Sequence, residues 1–456
     1  MKIIVAGAGS GKTQNFVSIV EELRVELDSV KNIYCLAFTN NAVDCIKNRL
    51  NDHETLSKNN VIVSTIHSFL YNEIIKPYRI LIYGQHLGAI STIDLPNDCR
   101  ERQYEISRLK KNGFLHQKEI PKEAKWIFCG KSKDDADVKN KRKIVNGIIA
   151  KYCGAICIDE AQDIDSDIMK IIKLMDALGV KIVLVGDPKQ DIKGIKVFRD
   201  LIEERSDSVI YKDRCYRCPV QHLRISNTIV NENEKQISKK SNGKVEFNFG
   251  TRYHIRKVLE RLNFDLIYIS RARNNYVTRP QTSLLTKIED VFECLRSVVQ
   301  DRIESESIEL CYYLAYEIFR KHQKLEDDLE KVIKDLMSSH MICLSEEKIK
   351  KLIDIINAKK TSEVVSVRTI DSVKGLEGDR CLFILTMDLA RHLFGKANDD
   401  NATRARLYVA LTRSRSYLLI HIDEDVERIM CKEDIITYFN SLGVNELSIG
   451  RSHETH

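Results

Sequence analysis

The chain has 456 residues, net charge +6, with 43% apolar and 30% charged residues. That length is more than one ordinary core holds, and the composition excludes a disordered, fibrous or membrane-spanning chain, since no apolar run approaches the roughly 20 residues a span requires. The N-terminus is too short in apolar residues for a signal peptide, and thirteen scattered cysteines suit a reducing, cytoplasmic setting.

The first 70 residues alternate between strand and helix patterns. Ile3–Ala6 reads as a short buried strand. Lys12–Leu27 reads as a helix with Phe16, Ile19, Val20, Leu23 and Leu27 on one face. A second strand is predicted at Asn32–Phe38, a helix at Asn41–Leu50 and a third strand at Val61–Ser64. Apolar strands alternating with helices predict a parallel sheet. Residues 71–150 are richer in lysine. Between Glu101 and Lys151 fourteen Lys/Arg stand against seven Asp/Glu, so this segment carries the charge surplus. It could track a phosphate backbone or be a solvated helical face. Strands are predicted again at Ala155–Ile158, Lys181–Val185, Asp265–Ser270, Val364–Thr369, Cys381–Thr386 and Tyr417–Ile422, and a helix at Leu325–Met337. The expected fold is α/β, with two parallel-sheet lobes, each carrying a mainly helical insertion.

Two segments carry nucleotide chemistry. Ala6-Gly7-Ala8-Gly9-Ser10-Gly11-Lys12-Thr13 follows a strand and opens a helix, which is the context of a phosphate-binding loop. Its glycines turn backbone N–H groups toward the phosphates, Lys12 reaches the β/γ-phosphates and Thr13 offers a hydroxyl to Mg²⁺. Ala6 stands where the pattern begins with glycine. Ile158-Asp159-Glu160-Ala161-Gln162-Asp163 then delivers two carboxylates from a strand end: Asp159 for Mg²⁺, and Glu160 as the base that polarises the attacking water. Cys215 and Cys218 form a CxxC with no second pair, so two thiols beside a turn are favoured over a zinc site.

Further segments follow in a fixed order: Ala37-Phe38-Thr39-Asn40, Thr65-Ile66-His67-Ser68-Phe69, Gly186-Asp187-Pro188-Lys189-Gln190, Tyr216-Arg217-Cys218, Thr369-Ile370-Asp371 through Lys374-Gly375-Leu376-Glu377, and Tyr408-Val409-Ala410-Leu411-Thr412-Arg413. With the loop and the acidic pair, this series resembles the ordered motifs of UvrD/Rep/PcrA-like superfamily 1 DNA helicases, over residues 3 to about 422. The resemblance implies two RecA-like P-loop lobes and ATP hydrolysis coupled to single-stranded DNA, with 3′–5′ polarity. It divides the chain into a first lobe at 1–70 and 151–225 with a helical basic insertion at 71–150. The second lobe falls at 226–279 and 361–445 with a reduced insertion at 280–360, and 446–456 form a polar tail. It assigns Gln190 as a sensor of the γ-phosphate or the attacking water, Arg217 and Arg413 as second-lobe cations with Arg413 the arginine finger, and Glu377 as a contact to the ribose of the nucleotide or to the closing lobe. DNA is expected to meet Phe38, Thr39, Asn40, Thr65, His67, Lys193 and Thr369, with Phe38 either a stacking face or a core residue.

Several positions depart from that pattern. Lys193 and Ile195 stand where the family has an aromatic residue and a tryptophan. Asp371 replaces a histidine, and Gly378 an aromatic residue. Since stacking is worth about 1–3 kcal/mol per base, the single-strand grip is expected to be weaker. The chain starts at its first strand, without the upstream glutamine segment that reads adenine, and no nuclease segment follows the last motif. The compact layout is similar to the helicase-like B subunits of the Gabija anti-phage defence system. That similarity implies a partner nuclease and contact with DNA ends or single-strand/double-strand junctions. A P-loop kinase or GTPase is disfavoured, because no guanine-reading N-K-x-D segment is present and a kinase would not require the second lobe's arginines.

Overall fold

A computed structural model of the chain describes residues 1–28, 30–51, 60–252, 254–271, 276–277, 291–292, 294–295, 307–324, 329–340, 342, 344–357 and 365–448. The strands are β1 (Lys2–Ala6), β2 (Asn32–Ala37), β3 (Val61–Thr65), β4 (Ala89–Ser91), β5 (Phe114–His116), β6 (Cys153–Ile158), β7 (Lys181–Gly186) and β8 (Val209–Lys212) in the first half. The second half contributes β9 (Lys244–Phe249), β10 (Leu266–Ile269), β11 (Tyr276–Val277), β12 (Val365–Ser366), β13 (Arg368–Thr369), β14 (Gly378–Leu385), β15 (Ser414–Ile422) and β16 (Asn445–Glu446).

Two six-stranded sheets result, in the orders β3-β2-β6-β7-β1-β8 and β13-β10-β14-β15-β9-β16. All their described pairings are parallel. Both sheets are buried on two faces, and the strand period shows how. In β1, Ile3 and Val5 join one core cluster while Ile4 and Ala6 join another on the opposite face. In β15, Leu418, Ile420 and Ile422 face one cluster while Tyr417 and Leu419 face another. Strands apolar on both sides need helices on both sides, and the chain is two RecA-like α/β lobes.

Within residues 71–150, helices Lys76–Tyr83, Cys99–Lys111, Ile120–Phe128 and Ala136–Tyr152 dominate. Ile74, Leu115, Ile127 and Ile149 belong to the cluster that covers one face of the first sheet. The helix Ala136–Tyr152 starts where Asp135 accepts the Val138 N–H, an N-cap that satisfies one orphan donor.

The sequence and the structure differ at several places. The strand expected at Val364–Thr369 is two short strands, β12 and β13, in different sheets, and Val364 lies outside the described residues. The helix expected at Leu325–Met337 is Leu329–Ser339, residues 325–328 lying outside the described set. Much of 280–360 also lies outside it. Strands β8, β9 and β16 were not anticipated. β8 is an edge strand whose residues are largely exposed, so it lacks a burial pattern. β9 places Glu246 and Asn248 in the interior. Their polarity masks a buried strand, and each has a partner: Tyr417 Oη donates to Glu246 (2.8 Å), and Asn248 bonds His421 (3.0 Å).

A candidate nucleotide cleft between two sheets

Three connections of the first sheet converge because their strands are neighbours. β6, β7 and β1 lie side by side, so the segments that leave their carboxyl ends open onto one crevice, the usual ligand position in a parallel sheet. After β1 comes the glycine loop, with Gly9 (φ +67) and Gly11 (φ +73) in left-handed conformation, and the helix Lys12–Glu26 begins at its end. After β6 come Asp159 and Glu160, and after β7 comes Gln190.

The second lobe presents the opposite ends of its strands. Glu377 immediately precedes β14 and Arg413 immediately precedes β15; the strands pair at Gly378 and Ser414, and the Gly378 N–H donates to the Arg413 carbonyl (3.2 Å). Between the lobes lies an open cleft of about 1150 Å³. Six cationic side chains line it (Lys12, Arg49, Arg217, Lys240, Arg413 and Arg415) against three carboxylates, Asp159, Glu160 and Glu377. That excess suits a polyanion.

Lys12 Nζ lies 3.5 Å from Glu160 Oε2. Burial pulls the Lys12 ammonium down, but Glu160, Asp187 and Asp159 outweigh it and hold it above its ordinary value. Burial pushes both carboxylates up. For Asp159 the Glu160 charge adds to burial and the group stays raised. For Glu160 the charges of Lys12 and Lys374 and a hydrogen bond from Gln162 Nε2 (2.5 Å) reverse it and hold the carboxylate ionised. Glu160 itself adopts φ 57°, a left-handed conformation rare outside glycine, of the kind that gathers at functional sites. Gln190 is buried and donates through Nε2 to Asp187 Oδ2 (2.8 Å). Ala6 and Ala8 of the loop are buried, and Ser10 Oγ is buried with no hydrogen-bond partner among the described residues. The side chain of Thr13 lies outside the described residues.

The second-lobe cations are held by groups of their own. Glu377 accepts from both Arg217 and Arg415, and Arg217 also reaches the Thr412 carbonyl (3.4 Å). Glu377, expected to contact the ribose or the closing lobe, pairs with two arginines at the cleft. Arg413 is almost wholly buried. Its guanidinium donates to Val409 O (2.9 Å), Leu376 O (3.1 Å) and Thr412 Oγ1 (3.3 Å), and burial followed by the Arg217 charge draws its pKa down.

Of the residues expected to meet DNA, Phe38, His67 and Lys193 come together. Lys193 Nζ stands 5.8 Å over the Phe38 ring, and its charge, after burial, holds the His67 imidazole below its ordinary value, against a pull upward from Asp165. Phe38 is partly buried against the first-sheet core, so it is half core and half surface. The hydroxyls of Thr39, Thr65 and Thr369 each accept a backbone N–H three residues on, from Ala42 (3.2 Å), Ser68 (3.1 Å) and Ser372 (3.2 Å). They fix the starts of helices, and Asn40 is exposed beside the first of them. Asp163 accepts from Lys374 of the second lobe (2.8 and 2.9 Å) and lies 3.8 Å from Lys193.

Sequence reasoning missed Arg49, Tyr216, Lys240 and Arg415 as lining residues. Tyr216 and Arg415 sit within a residue or two of a motif arginine and could have been found by that proximity. Arg49 lies on the helix Asn40–Asn51, and Lys240 is in no motif, so neither gave a signal. The CxxC sulfurs are buried beneath the loop: Cys215 Sγ lies 3.1 Å from Ala8 O and accepts the Cys218 N–H (3.3 Å). Among the described residues no cluster of three or more metal-ligating side chains occurs.

Residues 1–196 match the AAA domain family. Across 92% of both chains the sequence is 25% identical to the Gabija protein GajB of Bacillus cereus. These matches are to helicase-like ATPases, and they support a superfamily 1 helicase-like ATPase of the UvrD type. The chain is also 24% identical to the ATP-dependent DNA helicase Rep of Buchnera aphidicola, over 54% of this chain and 44% of that one. An arterivirus nonstructural protein 10 helicase solved with DNA shares 11% identity at a TM-score of 0.36, covering 92% of this chain and 60% of the other. The PRRSV helicase gives 11% and 0.33, with 94% and 53% covered, so the chain spans under two thirds of either viral chain's length. No helix among the described residues is long and apolar enough to cross a membrane.

Proposed function

We propose that this ATPase hydrolyses ATP on contact with single-stranded DNA and moves along it in the 3′–5′ direction. The observation that carries the reading is the cleft: the phosphate loop, the acidic pair and the arginines of two lobes face one volume whose lining is rich in positive charge. In this reading residues 1–70 and 151–225 form the first lobe, 226–279 and 361–445 the second, with 71–150 and 280–360 as insertions and 446–456 as a tail.

The geometry supports a role for each residue in this reading. Lys12 and the loop N–H groups bind the phosphates, and the buried Ser10 hydroxyl gains the partner it lacks when a phosphate oxygen lies in the loop. Glu160, kept ionised by Lys12 and Lys374, accepts a proton from the attacking water, and Gln190, anchored by Asp187, orients that water. Arg217 and Arg413 neutralise charge that develops on the transferred phosphoryl group. Mg²⁺ fits beside Asp159, a buried carboxylate whose charged form burial disfavours and a cation would restore, and in this reading Thr13 is the second residue that would hold it. Bound there, the ion would offset negative charge on the phosphate oxygens.

DNA lies across Phe38, Thr39, Asn40, Thr65, His67, Lys193 and Thr369 in this reading. Helix starts capped by the three threonines leave backbone N–H groups and a partial positive charge for backbone phosphates. Phe38 offers the stacking face and Lys193 a phosphate contact.

The similarity to GajB along almost the whole chain favours a second reading: a DNA-sensing ATPase subunit that activates a partner nuclease in cytoplasmic anti-phage defence, with little unwinding. The loss of two stacking residues at Lys193 and Ile195 points the same way. ATPase rates with and without single-stranded DNA, beside a forked duplex, test both. Stimulation with strand separation supports the translocating helicase, and stimulation without separation supports the sensor. A rate indifferent to DNA, with no DNA binding at low salt, would sink both.

A further inference from the structure

Ala8 lies in the middle of the phosphate loop, yet both of its backbone polar groups are spent on residues far away in sequence. Its N–H donates to Tyr408 Oη (3.2 Å), and its carbonyl accepts from Gln236 Nε2 (3.1 Å). The Tyr408 hydroxyl donates in turn to Gln236 Oε1 (2.7 Å), which closes a ring of three hydrogen bonds. The donor and acceptor directions agree around the ring, and the Ala8 carbonyl also accepts from Cys215 Sγ (3.1 Å). A phenol has one proton, so accepting from Ala8 leaves that proton for Gln236. Only one orientation of the carboxamide can both accept from the phenol and donate to the carbonyl. Ala8, Tyr408 and Gln236 are all buried, where a broken member of such a network costs more than it would in water.

The neighbours of the ring show what it connects. A Cβ on Gly7 would fall 2.2 Å from Gln236 Cδ, so the carboxamide lies directly on the loop and only glycine fits beneath it. Tyr408 belongs to the helix Ala402–Leu411, whose end carries Thr412 and Arg413. Thr412 Oγ1 donates to Tyr408 O (2.8 Å), and Arg413 Nε donates to Val409 O (2.9 Å). Lys189 Nζ sits 5.2 Å over the Tyr408 ring and 3.1 Å from Asp187, the residue that anchors Gln190. The ring thus joins the backbone of the phosphate loop to the helix that holds Arg413 and touches the turn that holds Gln190.

We propose that Gln236 and Tyr408 are positioning residues for ATP hydrolysis, whose ring with Ala8 locks the phosphate loop to the arginine-bearing helix of the second lobe. This rests on reading the cleft as the ATP site. A shift of the helix Ala402–Leu411 is then passed to the loop through hydrogen bonds, rather than only through the nucleotide.

The test uses the full chain with Tyr408→Phe, Gln236→Met and the double variant. Tyr408→Phe removes one oxygen and keeps the ring beneath Lys189, and Gln236→Met keeps the volume and removes both polar ends. The measurements are kcat and KM for ATP with saturating single-stranded DNA, equilibrium binding of a fluorescent non-hydrolysable ATP analogue, and thermal melting. Each single variant removes two of the three hydrogen bonds and is expected to lower kcat about tenfold, while analogue affinity stays within about threefold. The double variant is expected to fall no lower than the worse single one, because both cut the same ring. A Tyr408→Phe chain with unchanged kcat overturns the proposal, as does a double variant whose losses multiply or a loss confined to analogue affinity and melting. A parent chain that neither binds nor hydrolyses ATP would overturn the cleft reading along with it, whereas a fully active Tyr408→Phe chain overturns the ring alone.

Discussion

Arg413→Ala separates the chemistry of the cleft from the stability of the second lobe. The guanidinium is buried and makes three hydrogen bonds, two of them to carbonyls of Val409 and Leu376. Its removal leaves both carbonyls without that donor, at about 1–3 kcal/mol each. Part of this is returned, because the arginine carries a charge into the interior with no carboxylate paired to it among the described residues, and that desolvation is relieved. A net loss of about 2 kcal/mol follows, or a melting temperature lower by roughly 4–8 °C at the scaling of a domain of 150–250 residues. An arginine finger contributes far more to the rate, on the order of 10³-fold in kcat or above. The expected pattern is therefore a modest fall in melting temperature, a kcat reduced by about 10³-fold or more, and analogue binding changed much less. Melting, steady-state ATPase and analogue binding on one preparation read all three. A kcat within about tenfold of the parent, with the melting shift intact, would refute the finger and leave Arg413 as a structural residue that only lines the cleft.

Lys12→Ala should abolish hydrolysis while the lobe stays folded, since its charge partners Glu160 at 3.5 Å at the surface of the cleft rather than inside a core; loss of the melting transition instead would contradict that. Gly9→Ala should cost both nucleotide binding and stability, because φ is +67° and the new Cβ would lie 2.4 Å from Arg217 Cβ; analogue binding and melting check it, and an active variant would mean that the loop relaxes. Acid should destabilise the protein through two buried histidines. Burial lowers His222 to about 3 and His421 to about 4, so below the unfolded value near 6.5 only the unfolded chain takes up protons. Stability is thus complete above that value and falls with pH down to the folded values, by up to about 1.4 kcal/mol per unit for each histidine. His222, with neither ring nitrogen hydrogen-bonded, is the cleaner probe: His222→Met should flatten the melting curve between about pH 6 and 5, and an unchanged slope would show that His222 is not a source.

How much of this was legible in the sequence depends on what each position must satisfy. The strands that carry the loop, Asp159 and Gln190 are apolar on both faces, and a continuous apolar run bounded by glycine or acidic residues is readable without knowing its neighbours. β9 was not readable, because Glu246 and Asn248 are interior only by virtue of Tyr417 and His421 about 170 residues later. The same limit hid Gln236. Nothing beside it in the chain marks it, and its place is fixed by Ala8 and Tyr408, more than 170 residues away on either side. Lys240 and Arg49 reach the cleft for similar tertiary reasons. Motif order marked candidate nucleotide residues that line one cleft, but it said nothing of how the arginines are restrained, because Glu377 becomes the counter-ion of Arg217 and Arg415 only when β14 and β15 lie side by side.

That restraint bears on how DNA and ATP could act on one another. Glu377 is partly exposed and holds two arginines at the mouth of the cleft, so its pairs are individually weak, about 1 kcal/mol or less. A triphosphate carries more charge than one carboxylate and offers several oxygens to planar guanidinium groups, so it competes well for Arg217. On the other side of the interface, Asp163 follows directly in the segment of Asp159 and Glu160 and is bonded by Lys374, while Lys193, expected to meet DNA, lies 3.8 Å away. A phosphate backbone that drew Lys193 toward itself would take a cation from Asp163 and leave Lys374 as its main partner. Lys374 is also one of the charges that keep Glu160 ionised. In the proposed reading the two ligands would meet at one short acidic segment, DNA changing the cations around the base and ATP the cations across from it. Such a coupling needs no long pathway, because Glu160 and Asp163 stand three positions apart in the chain and share Lys374.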